Sequence, residues 1–334
     1  MHRLNAKLME KRQDDMIMKA RSYRSILTVG MRLYTGSFRK LFKASWQMVL
    51  LFAVTGGALG TLSATRLPDL TTQLVQQYAS YGGMFFETIR EFGKIILFAI
   101  ALLIIWLATM TLAQATVLAK LKEHKETGII TMPPYWHSAN SLLMARTMKG
   151  FFATIVPILL PFFLFFVFLW IADMLSPQFI LKHIKTVTWT FCIYGGAIIF
   201  LSLPLSYVLM KYIMESPCGY WRTLVNNYNR GLRHWGMLFL VYLVSSLIIE
   251  LVSLVIGLPT HILSFANQQA HTGVMIGDPL GMPSYITWLT FITYTLCMIL
   301  DFYVSLPLLI HNYYAYGSIE TQEKERQQQL NEIE

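Results

Sequence analysis

Two carboxylates, Glu250 and Asp301, lie inside long apolar stretches and are the residues of this sequence best suited to chemistry. Hydroxyl side chains accompany them at helical spacing: Ser246 and Ser253 on the first stretch, Tyr294 and Ser305 on the second. A helical rise of about 1.5 Å per residue places the two carboxylates at comparable depth on consecutive spans. An ionisable residue within a membrane span indicates a functional site by default. The pattern predicts a polar site between the two spans.

This pair of carboxylates has two interpretations. The first is a proton- or cation-coupled site in a carrier, because no Lys or Arg lies in the cores of the spans to neutralise them. The second is structural: protonated carboxyls would hydrogen-bond neighbouring helices through Ser and Tyr, since burial disfavours the charged form. The sequence leaves both interpretations open.

The elements that position these residues are membrane helices. Of the 334 residues, 55% are hydrophobic and only 13% are charged, a composition outside the range of soluble domains. We predict an all-α polytopic membrane protein with six spans, at 45–64, 95–119, 151–173, 187–213, 236–258 and 285–310. Residues 1–22 are predicted as a cytoplasmic N-terminal segment, 23–314 as the membrane domain and 315–334 as a cytoplasmic tail.

The cations predict the orientation of the chain. Alternate loops and the two termini together carry 22 of the 27 Lys and Arg, and the opposite loops carry five. The positive-inside rule therefore places both termini in the cytoplasm of a cell with an inner membrane. The formal charge of +9 flanks apolar spans, which predicts anionic lipid head groups as partners and no nucleic acid.

Amphipathic segments precede every second span, near residues 25, 136 and 219. The third is the clearest, with one apolar face and one basic face. The apolar face consists of Trp221, Leu224, Tyr228, Leu232 and Trp235, and the polar face of Arg222, Asn226, Arg230 and Arg233. Such helices lie on a membrane surface, although an ordinary cytoplasmic helix packed on its neighbours would show a similar pattern.

An amphipathic helix followed by two spans, three times over, predicts three parallel repeats. Sequence similarity between residues 188–205 and 293–308 supports the repeat, since both segments contain a Cys and end in Ser-Leu-Pro-Leu. The prolines, Pro204 and Pro307, predict helix kinks. Pro204 has no N–H and leaves the carbonyl of Phe200 without its helical partner.

The segments Leu33-Tyr34-Thr35-Gly36-Ser37-Phe38-Arg39 and Tyr228-Asn229-Arg230-Gly231-Leu232-Arg233 carry a resemblance to a known superfamily. Each begins the amphipathic part of a repeat, and this pattern resembles a bacterial superfamily of six-span inner-membrane proteins. That superfamily includes the membrane domain of glycerophosphodiester phosphodiesterases. The resemblance implies the fold and no enzymatic activity, because the catalytic domain of those enzymes is soluble and has no counterpart in this sequence.

The expected function is that of a non-enzymatic accessory or scaffold protein, which engages lipid and a protein partner. The alternative is a carrier of a small solute or lipid that uses Glu250 and Asp301. The sequence has no Gly-x-Ser-x-Gly, His-Glu-x-x-His or P-loop motif, and its three cysteines have no metal-ligand spacing. We therefore expect no catalytic site, no metal and no cofactor.

Three further expectations concern the ends of the last two spans. Pro259 is predicted to end the fifth span and to begin an external loop at 259–284. Tyr313, Tyr314 and Tyr316 are predicted to anchor the sixth span at the membrane interface. The polar tail from Glu320 is predicted to be a frayed helix.

Overall fold

A computed structural model describes residues 17–66, 85–131, 138–175, 183–215, 219–277 and 283–332. These residues form helices and no strand, so the predicted all-α fold is confirmed. The α-helices are α1 (Tyr23–Thr61), α2 (Phe85–Thr127), α3 (Ser138–Leu175), α4 (Ile184–Met214), α5 (Tyr220–Arg233), α6 (Trp235–Ile276) and α7 (Tyr285–Asn331). A π-helical turn, Leu62–Arg66, continues α1.

Within the described ranges, six of these helices are long and apolar enough to cross a membrane. They are α1 with its π turn, α2, α3, α4, α6 and α7, one for each predicted span. Large apolar side chains, such as Leu97, Phe163 and Trp288, are exposed along them. Exposure on this scale would be costly in water, so it indicates a multi-pass membrane protein.

Of the three amphipathic segments, one forms a separate helix. The first is continuous with the span that follows it, because α1 runs without a break from Tyr23 to Thr61. The second is likewise continuous with α3, although its start at Trp136 lies outside the described residues, as do residues 1–16. The third is α5, which is separated from α6 by one non-helical residue, His234.

Glycine ends two of the helices. Gly128 follows α2 with a φ of 73°, and Gly277 follows α6 with a φ of 102°, the left-handed conformation that commonly terminates helices. The predicted end at Pro259 was wrong, because α6 contains Pro259 and continues to Ile276. The segment predicted as an external loop therefore begins as helix. Neighbouring side chains and carbonyls in a membrane helix can compensate for the hydrogen bond that a proline removes.

The chain divides into two compact units. Unit 1 comprises the described parts of Met1–Phe38, Leu118–Ser245 and Pro307–Glu334, and unit 2 those of Arg39–Val117 and Ser246–Leu306. In unit 2, Gly56 and Gly60 of α1 form a small-xxx-small pair. A Cβ on Gly56 would come within 2.7 Å of Nε1 of Trp106, and one on Gly60 would overlap the ring of Tyr294. The pair therefore serves packing within the chain.

The core of unit 1 is a stretch of α7, Ile310–Glu320, which we call the α7 core segment. All eleven of its residues are buried. Tyr313, Tyr314 and Tyr316 are thus core residues, and their predicted role as interface anchors was wrong. The predicted fraying from Glu320 was also wrong, because Glu320 is buried and α7 stays helical to Asn331.

The first prediction concerns the contact of α1 with the α7 core segment. A Cβ on Gly30 would overlap the imidazole of His311, which is buried and hydrogen-bonded through Nδ1 to Ser245 at 2.8 Å. Because the ring is held on both sides, we expect Gly30→Ala to destabilise the protein by about 1–3 kcal/mol. A lower melting temperature of the purified protein in detergent would measure this effect.

Gly36 provides the matched control, since it lies on the same helix and a Cβ there would meet nothing within 4 Å. We expect Gly36→Ala to leave the melting temperature unchanged or to raise it, because Ala favours helix over Gly by up to about 1 kcal/mol. Equal melting temperatures for the two variants would contradict the close packing of α1 on His311.

Candidate functional site

The structure places the two predicted carboxylates in unit 2 but in different surroundings. Glu250 on α6 is exposed, whereas Asp301 on α7 is half-buried. Ser253 lies within hydrogen-bonding reach of the Asp301 carboxylate, and Glu250 is close enough to interact with it electrostatically. The Oδ1 atom of Asp301 is buried and has no hydrogen-bond partner among the described residues. The arrangement is thus one half-buried carboxylate with an open acceptor atom, near a second, exposed carboxylate.

Two other predicted site residues, Tyr294 and Ser305, make their hydrogen bonds elsewhere. The Tyr294 hydroxyl pairs with Ser264 at 2.7 Å, and Ser305 donates a hydrogen bond to the carbonyl of Phe302 on its own helix at 2.8 Å. Ser246 is half-buried on α6. Pro204 and Pro307 lie inside α4 and α7, and both are buried.

A cluster of buried charges that the sequence analysis missed lies in unit 1. Lys211 Nζ on α4 lies 2.6 Å from Oε1 of Glu320 in the α7 core segment. The two side chains are only 11% and 6% exposed. The hydroxyl of Tyr207 donates a second hydrogen bond to Glu320. Because a buried charge is costly unless it is paired, this ion pair joins α4 to α7.

The cluster continues through Glu215, just after the end of α4. Its Oε2 atom lies 3.7 Å from Lys211 Nζ, and its Oε1 atom accepts a hydrogen bond from Tyr316 at 2.6 Å. Lys125 of α2 in turn donates to the Tyr316 hydroxyl at 3.0 Å. Two lysines and two glutamates therefore balance each other across α2, α4 and α7.

Further polar contacts hold Tyr313 and Ser318 of the α7 core segment. Nδ1 of His124 on α2 lies 3.0 Å from the Tyr313 hydroxyl. The backbone N–H of Arg21 donates to the Ser318 hydroxyl at 2.9 Å, and that hydroxyl donates back to the Arg21 carbonyl at 3.1 Å. These partners satisfy buried polar groups, which is what a packed interior requires. The α7 core segment thus serves as a polar hub for unit 1.

The junction of α4 with α5 is built around Pro204. Pro204 leaves the Phe200 carbonyl without a helical donor. Nε1 of Trp235 donates to this carbonyl instead, at 3.0 Å. The Tyr228 hydroxyl donates to the next carbonyl, of Leu201, at 3.0 Å. Burial raises the pKa of Tyr228, whose phenol is a donor at neutral pH even with the ordinary pKa of tyrosine. Gly231 permits this approach, since a Cβ there would lie 3.1 Å from the Pro204 carbonyl oxygen.

Helix α5 presents three different faces. Its buried face is small and polar, and consists of Tyr220, Thr223, Asn227 and Gly231. Tyr220 hydrogen-bonds Thr154 of α3 at 2.6 Å, and burial raises its pKa against the effect of that bond. Only part of its apolar side points outward, with Trp221 60% and Val225 76% exposed, because Tyr228 is half-buried against α4. The third face carries the exposed cations Arg222 and Arg233.

No family model, curated protein or solved structure matches the chain. Among the residues whose structure is described, no group of three or more His, Cys, Asp or Glu could hold a metal ion. The function must therefore be inferred from the geometry of this chain alone.

The signal that could have revealed the polar hub is the composition of residues 311–320, HNYYAYGSIE. It combines His, Asn, Ser and Glu with three tyrosines, and every one of these side chains can make a hydrogen bond. An amphipathic helix would segregate polar from apolar residues, but this segment does not. A polar helix without a preferred face can be a buried one whose partners lie on all sides.

The second prediction tests the ion pair of the hub. Glu320→Gln leaves the Lys211 ammonium buried beside a neutral amide, which we expect to cost about 3 kcal/mol, the low end of such losses, since Glu215 remains nearby. The melting temperature of the purified protein should fall accordingly. Adding Lys211→Met should recover part of the loss, because the uncompensated charge is removed.

Glu325→Gln is the matched control, because Glu325 lies on the same helix and is exposed. Its melting temperature should equal that of the wild type. Equal melting temperatures for Glu320→Gln and Glu325→Gln would contradict a stabilising role of the ion pair in unit 1.

Proposed function

We propose that the protein is a non-enzymatic accessory or scaffold protein of the cytoplasmic membrane of a bacterium, with both termini in the cytoplasm. The observation that carries this proposal is the end of α7. Glu323 is buried, and every residue from Lys324 to Asn331 is exposed although the helix continues. A short helix is marginal in water by itself, so the buried part of α7 must support this extension. A rigid polar helix end beyond the core is suited to contacting a partner protein.

Glu323 anchors the base of this extension. Its carboxylate lies 3.1 Å from Nε2 of His234 and 3.6 Å from a guanidinium nitrogen of Arg233. Both residues stand at the turn between α5 and α6. The direction of the extension is thus tied to the helix that carries the outward-facing apolar and basic residues. A partner on α7 and lipid on α5 would be engaged by neighbouring parts of unit 1.

The faces of α5 support its placement on the membrane surface. In a water-soluble helix packed on its neighbours, the apolar face would be buried and the polar face exposed. Helix α5 instead buries its small polar face and exposes Trp221 and Val225. An apolar face bordered by arginines is typical of helices at a membrane interface. The excess of cations in the same set of loops supports a cytoplasmic location for this surface.

Three parallel repeats remain part of the proposal. The two similar segments, 188–205 and 293–308, lie in α4 and α7. Each has its proline inside the helix. The positions of Pro204 and Pro307 in two long helices support a common origin of these spans. The continuous α1 and α3 and the separate α5 imply that the repeats have diverged in how the amphipathic segment joins its span.

The third prediction concerns the exposed end of α7. Deletion of residues 324–334 should leave the melting temperature unchanged, because the described residues removed are exposed. It should abolish retention of a partner when the protein is excised from membranes of its source cells in native-lipid discs and co-isolated proteins are quantified by mass spectrometry. Asn226→Trp, a change at an exposed position of α5, is the control and should retain the partner.

Equal recovery of the same proteins with full-length and shortened chains would contradict the proposed role of the α7 extension. A large fall in melting temperature on deletion would also contradict it, since the extension would then belong to the core.

The alternative function, a carrier of a small solute or lipid, is favoured by one observation. The buried Oδ1 atom of Asp301 has no hydrogen-bond partner among the described residues, and Ser253 lies beside the same carboxylate. A buried acceptor without a donor is costly, so a proton, a cation or a ligand donor would stabilise it. Its location on a long apolar helix supports this alternative, because ionisable residues within membrane spans often mark ion or proton pathways.

The fourth prediction separates the two functions through Asp301→Asn. The scaffold proposal expects native mass spectrometry to find the same small molecules and lipids on the wild type and the variant, because Asp301 has no binding role. A carrier would lose its bound species in Asp301→Asn while its melting temperature stayed the same.

Glu325→Gln is the control for this measurement, since it removes an exposed carboxylate on the same helix as Asp301 but outside the proposed site. Loss of a bound species in Asp301→Asn alone would replace the scaffold proposal by the carrier. Identical spectra for all three proteins would remove Asp301 from consideration as a ligand site.

A further inference from the structure

A cleft of about 380 Å³ lies between α4 and α5 in unit 1. Its wall consists of Leu205 from α4 and of Leu224, Val225, Tyr228 and Asn229 from α5. Four of these side chains are apolar or aromatic, and one is an amide. The volume of the cleft is in the range of small-ligand sites, but the cleft is shallow and open along most of its length, so a ligand there would stay partly exposed.

The cleft is held open by the contacts around Pro204. Trp235 and Tyr228 bind the carbonyls of Phe200 and Leu201, at 3.0 Å each. Gly231 packs directly against Pro204. These contacts fix α5 against α4, so that the space beside them is preformed. A ligand would therefore not have to order the two helices on binding.

The surroundings of the cleft are apolar on one side. Phe200 and Leu201 of α4, and Trp221 and Val225 of α5, are all exposed. Helix α4 is long and apolar enough to cross a membrane. In the membrane placement proposed above, this surface would face lipid tails, so a hydrocarbon chain could enter the cleft from that side.

Arginines of α5 lie near the cleft along the helix but do not line it. The sequence of α5 contains three arginines and no acidic residue. Helical spacing places Arg222 and Arg233 on the same side as Val225 and Asn229, about one turn before and one turn after them. Arg233 lies 3.6 Å from Glu323 and is partly neutralised by it, whereas Arg230 is half-buried. Arg222, which is exposed, is the cation best placed for an incoming anion.

We propose that this cleft binds an anionic phospholipid, with one acyl chain between Leu205 and Val225 and the phosphate against Arg222 and Asn229. An acyl chain matches the apolar wall, and a phosphodiester accepts the hydrogen bonds that a guanidinium and an amide donate. The proposal rests on the membrane placement in the proposed function and specifies its lipid. It is independent of the α7 extension and of any protein partner.

The fifth prediction uses delipidated full-length protein, to which phosphatidylglycerol or phosphatidylcholine is added back before native mass spectrometry. We expect one phosphatidylglycerol molecule to bind about tenfold more tightly than phosphatidylcholine, because only the anionic lipid carries a net charge for Arg222. Arg222→Gln should remove this preference. Arg326→Gln, an exposed arginine of α7, should preserve it.

Two asparagines of α5 provide a matched test of the cleft itself. Asn229 lines it and Asn226 does not, although both are exposed. Asn229→Trp should fill the space and reduce phosphatidylglycerol binding about tenfold or more, while Asn226→Trp should bind as the wild type does. Melting temperatures without lipid would verify that each variant is folded. Val225→Trp, at another lining position, replaces Asn229→Trp if the latter unfolds.

Equal binding of phosphatidylglycerol by the Asn229 and Asn226 variants would overturn the proposal, as would equal affinity of the wild type for the two lipids. Neither result bears on the deletion of residues 324–334, because that experiment measures a protein partner. The proposed lipid site and the proposed scaffold function can therefore be refuted independently of each other.

Discussion

The ion pair between Lys211 and Glu320 is the interaction on which unit 1 depends. Both side chains are almost completely buried, so each would be strongly destabilising without the other. Their pairing fixes α4 against the α7 core segment, and Tyr207, Glu215 and Tyr316 complete the surrounding hydrogen bonds. Packing of apolar side chains alone tolerates more alternative arrangements of two helices than a buried charge pair does. The ion pair therefore specifies the register in which these helices pack.

The junction at Pro204 shows how a local defect in one helix can specify the position of another. The proline removes a backbone donor, and the carbonyl of Phe200 would then be unsatisfied at the side of a membrane-length helix. Trp235, the first residue of α6, supplies the missing N–H. The position of α5 follows, because the short helix is held between Tyr228 and Trp235, which bind successive carbonyls of α4. Its outward-facing apolar residues and the cleft beside it are consequences of this docking.

The sequence predicts the number and type of the long helices well, because length and hydropathy suffice to define a membrane-length helix. It also predicts the free carbonyl at Phe200, since that follows from the chemistry of proline alone. It does not predict the donor, because Trp235 is 35 residues away and any nearby N–H could serve. The sequence likewise does not predict which residues surround Glu250 and Asp301. Helical spacing defines a stripe, but rotation of the whole helix decides which side chains face inward. The α7 core segment was missed because a helix surrounded on all sides has no face for periodicity to reveal.

The order of residues along the chain has a consequence for biosynthesis. Glu320 follows Lys211 by 109 residues, and Ser318 follows Arg21 by 297. The ribosome therefore completes the polar hub last, after every other described helix has been made. Until then Lys211 lacks its closest buried partner, and the helices around the hub can associate only loosely. A nascent chain interrupted before residue 310 would therefore leave these buried polar groups unpaired, an incomplete tertiary packing of the kind that favours misfolding.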